Sequence, residues 1–88
     1  MYVICTYDVD KKRCAKIMKI LRKYLFHVQR SVFEGTLTPK KYEVLQQELQ
    51  PIVQQGDSVM FFISYNEKQI YKKGIGEIKD KLNLIFDM

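Results

Sequence analysis

Residues 1–16 read MYVICTYDVDKKRCAK, and the architecture can be worked out from them. The run Tyr2–Tyr7 is β-branched and aromatic with no breaker, which predicts a strand. Both of its faces are mostly apolar, which predicts that the strand is central. From Asp10 the apolar period changes. Cys14, Ile17, Met18, Leu21, Tyr24 and Leu25 recur at the i, i+3, i+4, i+7 spacing of one helix face. Two aspartates stand at the junction. Asp10 is placed to cap the helix. Asp8 has no such duty and calls for another explanation.

Outward from this βα opening, residues 26–37, FHVQRSVFEGTL, carry alternating, β-prone types. They form either one bent strand or two short antiparallel strands reversing near Gln29–Ser31. Gly35 marks a bulge or a close backbone approach. A second helix begins at Thr38 as N-cap and Pro39 in the first turn. Its apolar stripe is Tyr42, Leu45, Leu49, Ile52 and Val53, with Pro51 disturbing the last turn and Gly56 as a left-handed C-terminal cap. SVMFFISY at 58–65 is the strongest strand signal. NEK at 66–68 reads as a turn, and QIYKKGIG at 69–76 as a weaker edge strand softened by Gly74 and Gly76. The tail 77–88 ends in an apolar patch expected to dock on a dimer surface.

This order predicts a single α+β domain over 1–88, a ferredoxin-like split βαβ with an extra C-terminal strand. Two helices cover one face of the antiparallel sheet. Apolar residues also reach the other face, and a second copy would cover it, so a homodimer packed sheet to sheet is expected.

Composition agrees with one small domain. The chain has 88 residues, 47% of them hydrophobic, with net charge +5 and pI about 9.3. A basic excess favours anionic partners, nucleic acid foremost. Cys5 and Cys14 are the only cysteines and His27 the only histidine, so no zinc cluster of the usual ligands can form. The thiols read as core residues of a reducing compartment rather than a disulfide. No run approaches membrane-spanning length, and the opening lacks the charged and small-residue regions of a signal peptide; a cytoplasmic protein with no membrane contact is expected.

Charge placement says more than its total. Lys11, Lys12, Arg13, Lys16, Lys19, Arg22 and Lys23 crowd the first helix, and no acidic residue occurs between Asp10 and Glu34. Lys12, Lys16, Lys19 and Lys23 share a side away from the apolar stripe. Like charges at i,i+4 oppose a helix. The face therefore serves something outside it, and a phosphate backbone fits best. Asp8, at a strand end beside that face, suits Mg²⁺ or Mn²⁺, hard cations that share their shell with phosphate oxygens. One chain offers too few carboxylates for a catalytic site. A two-fold axis near Asp8 would bring two copies together.

The opening YVICTYDV, the basic first helix and VQRSVFEGTLT entering the second helix together resemble the CRISPR-associated Cas-two family, over nearly the whole chain. The resemblance implies a ferredoxin-like homodimer that assembles with the Cas-one integrase in spacer acquisition. It also implies Mg²⁺-dependent endonuclease activity on single-stranded RNA or double-stranded DNA. The family's metal aspartate falls on Asp8, and Tyr7 and Ser31 fall on positions tied to activity. Lys12, Arg13, Lys16, Lys19 and Arg30 are the expected nucleic-acid contacts. Phe33 is expected in the core or as a wedge near the two-fold axis. The sequence departs from the family at Arg30, where an aromatic is common, and at His27, where a cation is common. Two other readings stand beside the nuclease: a non-catalytic DNA-binding scaffold of the integration complex, and a toxin-type ribonuclease of the same fold. SVFEG leading into LTP favours the CRISPR family over the latter.

Overall fold

The computed structural model of the chain describes residues 1–66 and 69–76. The centre of the expected turn, residues 67 and 68, and the expected tail, 77–88, lie outside the described residues. In chain order the elements are β1 (Tyr2–Asp8), α1 (Lys11–Leu21), β2 (Phe26–Gln29), β3 (Val32–Thr36), α2 (Pro39–Leu49), β4 (Ser58–Asn66) and β5 (Gln69–Gly76). They form one antiparallel sheet in the order β2-β3-β1-β4-β5. β1 is central, as its two apolar faces predict. The strands joined by α1 are split by β3, and those joined by α2 are split by β1. Two interleaved split βαβ units with an added edge strand are the ferredoxin-like arrangement expected.

Local chemistry sets the boundaries. The Asp10 carboxylate accepts from the Lys12 N–H at 3.0 Å, and the Thr38 hydroxyl oxygen accepts from the Lys41 N–H at 3.1 Å. Of the two alternatives for 26–37, the chain takes two strands, reversing at Arg30–Ser31, with Ser31 in the left-handed region at φ 62°. The bulge lies between His27 and Gln29 rather than at Gly35. Gly35 instead lets the backbone approach a neighbour, since a Cβ there would meet Leu25 Cδ2 at 3.1 Å.

Two expectations are corrected at the end of the second helix. α2 stops at Leu49, so Ile52 and Val53 belong to the following turn, where their N–H groups both return to the Leu49 carbonyl. Pro51 has no N–H and its ring opposes a further helical turn. Gly56 has the positive φ expected, 89°, but lies past the C-cap Gln50, in the turn that feeds β4.

Both helices pack on one sheet face. Ile17, Leu21, Leu45 and Leu49 meet Val3, Cys5, Tyr7, Phe33, Val59, Phe61 and Ile63 there. Cys5 and Cys14 are free thiols; Cys5 is buried, which pushes its pKa up. The register places Tyr2, Ile4, Glu34 and Phe26 on the opposite face. Tyr2 stays 41% exposed and Phe26 79%. Tyr2 donates its hydroxyl to Glu34, which pushes the phenol up to about 12. Among the described residues no helix is long and apolar enough to cross a membrane.

Candidate functional site

At the C-terminal end of β1 the strand's alternation separates two neighbours. Tyr7 points into the helix-covered core, 8% exposed, with its ring centroid 6.2 Å from that of Phe33. Asp8, next along, is exposed on the opposite side and is the register partner of Ser58 on β4. The β2–β3 turn closes on the same end: the Tyr7 N–H donates to the Ser31 carbonyl at 3.1 Å. Burial raises the Tyr7 phenol's pKa, and the neighbouring Ser31 side chain only partly opposes this. Arg30 stands exposed in the same turn. Tyr7, Asp8, Arg30 and Ser31 are thus brought together, from positions 24 residues apart and less. Phe33 is fully buried, and His27 stacks on it at 4.7 Å and 21°.

The α1 face is mixed in a way the sequence conceals. Lys11, Lys12, Lys16, Lys19 and Arg22 are exposed. Lys23 lies past the helix end and pairs with Glu48 of α2, which also accepts from the Tyr24 hydroxyl. These donors hold the Glu48 carboxyl below its usual range. Arg13 turns to Asp57 in the loop before β4. Two of the seven cations that have no local counter-charge therefore find one from a distant element. Lys12, Lys16 and Lys19 remain as an exposed lysine row.

Sequence reading missed Asp57. Its side chain is 3% exposed. It accepts from Arg13 Nε at 2.6 Å, Arg13 Nη2 at 2.9 Å, the Asp10 N–H at 3.1 Å and the Gln54 N–H at 2.9 Å. The Arg13 guanidinium, with those backbone donors, holds its carboxyl well below the usual carboxylate range against the opposing effect of burial. The available signal was its position immediately before the most apolar strand, where burial is common, and a carboxylate once buried needs a cation.

The donors for a divalent cation can be tested on this geometry. Asp10 spends its carboxylate on the helix cap and Asp57 on Arg13. Asp8, an exposed hard oxygen donor at a strand end, fits Mg²⁺, which keeps several waters and takes one or two carboxylates with phosphate oxygens. Among the described residues no three His, Cys, Asp or Glu side chains converge in the single chain.

Comparison with known proteins places this geometry. The family model for CRISPR associated protein Cas2 matches residues 1–73. The chain is similar to the CRISPR-associated endoribonuclease Cas2 of Thermotoga maritima, 46% identical over 98% of this chain and 100% of that one. It is also similar to the endoribonuclease of the same name from Dictyoglomus turgidum, 44% identical over 80% and 86%. Among solved structures, a crystal structure of Cas2 superposes with TM-score 0.71 at 34% identity, covering 90% of this chain and 94% of that one. The match runs from the start of β1 through both split βαβ units and into β5, so the chain belongs to the CRISPR-associated Cas2 family.

Proposed function

We propose that the chain is a phosphodiester endonuclease that works as a homodimer, grips nucleic acid on the exposed side of α1 and holds Mg²⁺ (or Mn²⁺) on Asp8. One observation carries this reading: an exposed carboxylate, the Arg30–Ser31 turn and the start of a lysine-faced helix meet at one end of the sheet. A carboxylate beside cations suits a substrate whose phosphates need both positive charge and a divalent ion. The name endoribonuclease carried by the relatives supports RNA as substrate, with double-stranded DNA as the second candidate.

The roles follow from placement. Lys12, Lys16 and Lys19 neutralise phosphates, and Arg30 reaches them from the turn. Ser31 hydrogen-bonds a phosphate oxygen, and the buried Tyr7 orients it. A divalent cation on Asp8 would supply charge opposite the phosphodiester oxygens. The exposed aromatics of the sheet face opposite the helices support the homodimer, in which a second Asp8 completes the site. Family membership supports assembly with the Cas-one integrase in spacer acquisition, in the cytoplasm.

The second reading is a non-catalytic scaffold. It is favoured by the commitment of the Tyr7 phenol to the core and of the only histidine, His27, to a stack on Phe33. Asp8→Asn, in protein purified free of host nuclease, separates the two. The enzyme reading expects Mg²⁺-dependent cleavage of single-stranded RNA to vanish while strand binding persists. Cleavage unchanged in the variant removes Asp8 from the mechanism, and nuclease-free wild-type protein that binds without cutting is the scaffold.

A further inference from the structure

An open cleft of about 460 Å³ lies between α1 and the turn after α2, lined by Arg13, Lys16, Pro51, Ile52, Gln54 and Gln55. Its two walls are tied to one carboxylate. On the α1 wall Asp57 takes two N–H donors of Arg13 and the backbone N–H of Asp10. On the turn wall it takes the Gln54 N–H, and the Asp57 N–H returns to the Gln54 carbonyl at 3.0 Å. The bidentate grip fixes the guanidinium plane and leaves the remaining Arg13 donors available, with the side chain 24% exposed. Lys16 is exposed close by. On the other wall Pro51 and Ile52 are apolar, and the Gln54 side-chain amide donates to the Ile52 carbonyl at 3.4 Å.

We propose that this cleft seats one unpaired nucleotide of a single strand. Its phosphate lies on Arg13 and Lys16, its sugar and base pack against Pro51 and Ile52, and the Gln54 and Gln55 amides hydrogen-bond the base edge. The inference rests on the nucleic-acid reading above and narrows it. The volume falls within the roughly 300–1,000 Å³ of small-ligand sites. A duplex turns its bases inward and offers the cleft only phosphates. A single strand can splay a base into it and satisfy the amides as well. Because Asp57 fixes both walls before a ligand arrives, little ordering is left to do on binding.

Fluorescence anisotropy on the full-length protein tests this, with labelled oligoadenylate as RNA and DNA, single-stranded and as duplex; the RNA and DNA arms identify the sugar it takes. Gln55→Glu sets a carboxylate opposite Arg13 and Lys16, and Lys40→Gln on α2, which lowers the net charge by the same one unit, controls for net charge. The expected result is a loss of about tenfold in single-strand affinity for Gln55→Glu, no more duplex loss than Lys40→Gln gives, and an unchanged thermal midpoint. Equal losses in the two variants, or equal losses for single strand and duplex, overturn the cleft. Titration with adenosine 5′-monophosphate should move the side-chain amide resonances of Gln54 and Gln55, and unmoved resonances also overturn it. Salt-sensitive strand binding indifferent to Gln55→Glu removes the cleft and leaves the broader reading standing. No salt-sensitive binding of any strand removes both.

Discussion

Asp57 shows how much one side chain can organise in a small domain. Its four bonds join the N-cap and first turn of α1 to the loop before β4. Replacing it by Asn leaves Arg13 without its charge partner. Asp57→Asn should cost about 2–3 kcal/mol, a fall of roughly 10–20 °C in thermal midpoint for a domain of this size. The pH dependence has a definite sign. The carboxyl titrates lower in the folded chain than in the unfolded one, where its pKa is about 3.9. Its stabilisation is therefore complete above that value and drains away as pH falls below about 4. Urea midpoints across an acid series should show this loss in the wild type and a flatter limb in Asp57→Asn. Ser31, at φ 62°, makes a second residue-level prediction. Ser31→Gly should keep the fold, whereas Ser31→Val should lose about 1–2 kcal/mol, because a β-branched residue resists that conformation.

At the scale of elements, α1 sets local stability against recognition. Lys12 and Lys16 repel each other at i,i+4. Lys16→Glu converts this repulsion to attraction, so the helix should gain about 0.3–0.5 kcal/mol. Strand binding should weaken, and its salt slope should fall by about one. A variant with a raised midpoint and unchanged binding would make the lysine row an ordinary solvated face. The cap of α2 gives a simpler case: Thr38→Ala should cost about 1 kcal/mol by denaturant titration. These elements were largely legible beforehand, because caps and apolar periods are local signals: Asp10, Thr38 and the Ile17/Leu21 stripe fell where they pointed. The end of α2 was less legible, since the apolar period runs on to Ile52 and Val53 while Pro51 stops the helix. At the site, β1 was legible as a strand, but which of Tyr7 and Asp8 it buries was not, because both of its faces are mostly apolar. The partners of Arg13 and Lys23 were not, because Asp57 and Glu48 come from other elements and no local pattern announces a contact across 44 or 25 residues.

For the whole molecule, the sheet face away from the helices is the decisive surface. Phe26 and Tyr2 remain exposed on it, and Val28 on the edge strand β2 is 51% exposed. Phe26→Lys should convert the proposed homodimer to monomer in sedimentation equilibrium without unfolding it, since Phe26 contributes nothing to the core. A monomeric wild type at working concentration would refute the shared Asp8 site. The central position of β1 has a consequence for how the chain is made. Its neighbours are remote in sequence: Tyr2 pairs with Thr36 on one side and Ser64 on the other. The first strand to leave the ribosome is thus unable to complete its pairing until β4 has been synthesised. Such non-local pairing slows folding and leaves an apolar strand with a bare edge in the meantime. Translation beyond residue 64, rather than the formation of either helix, is then the step that commits this chain to its native sheet.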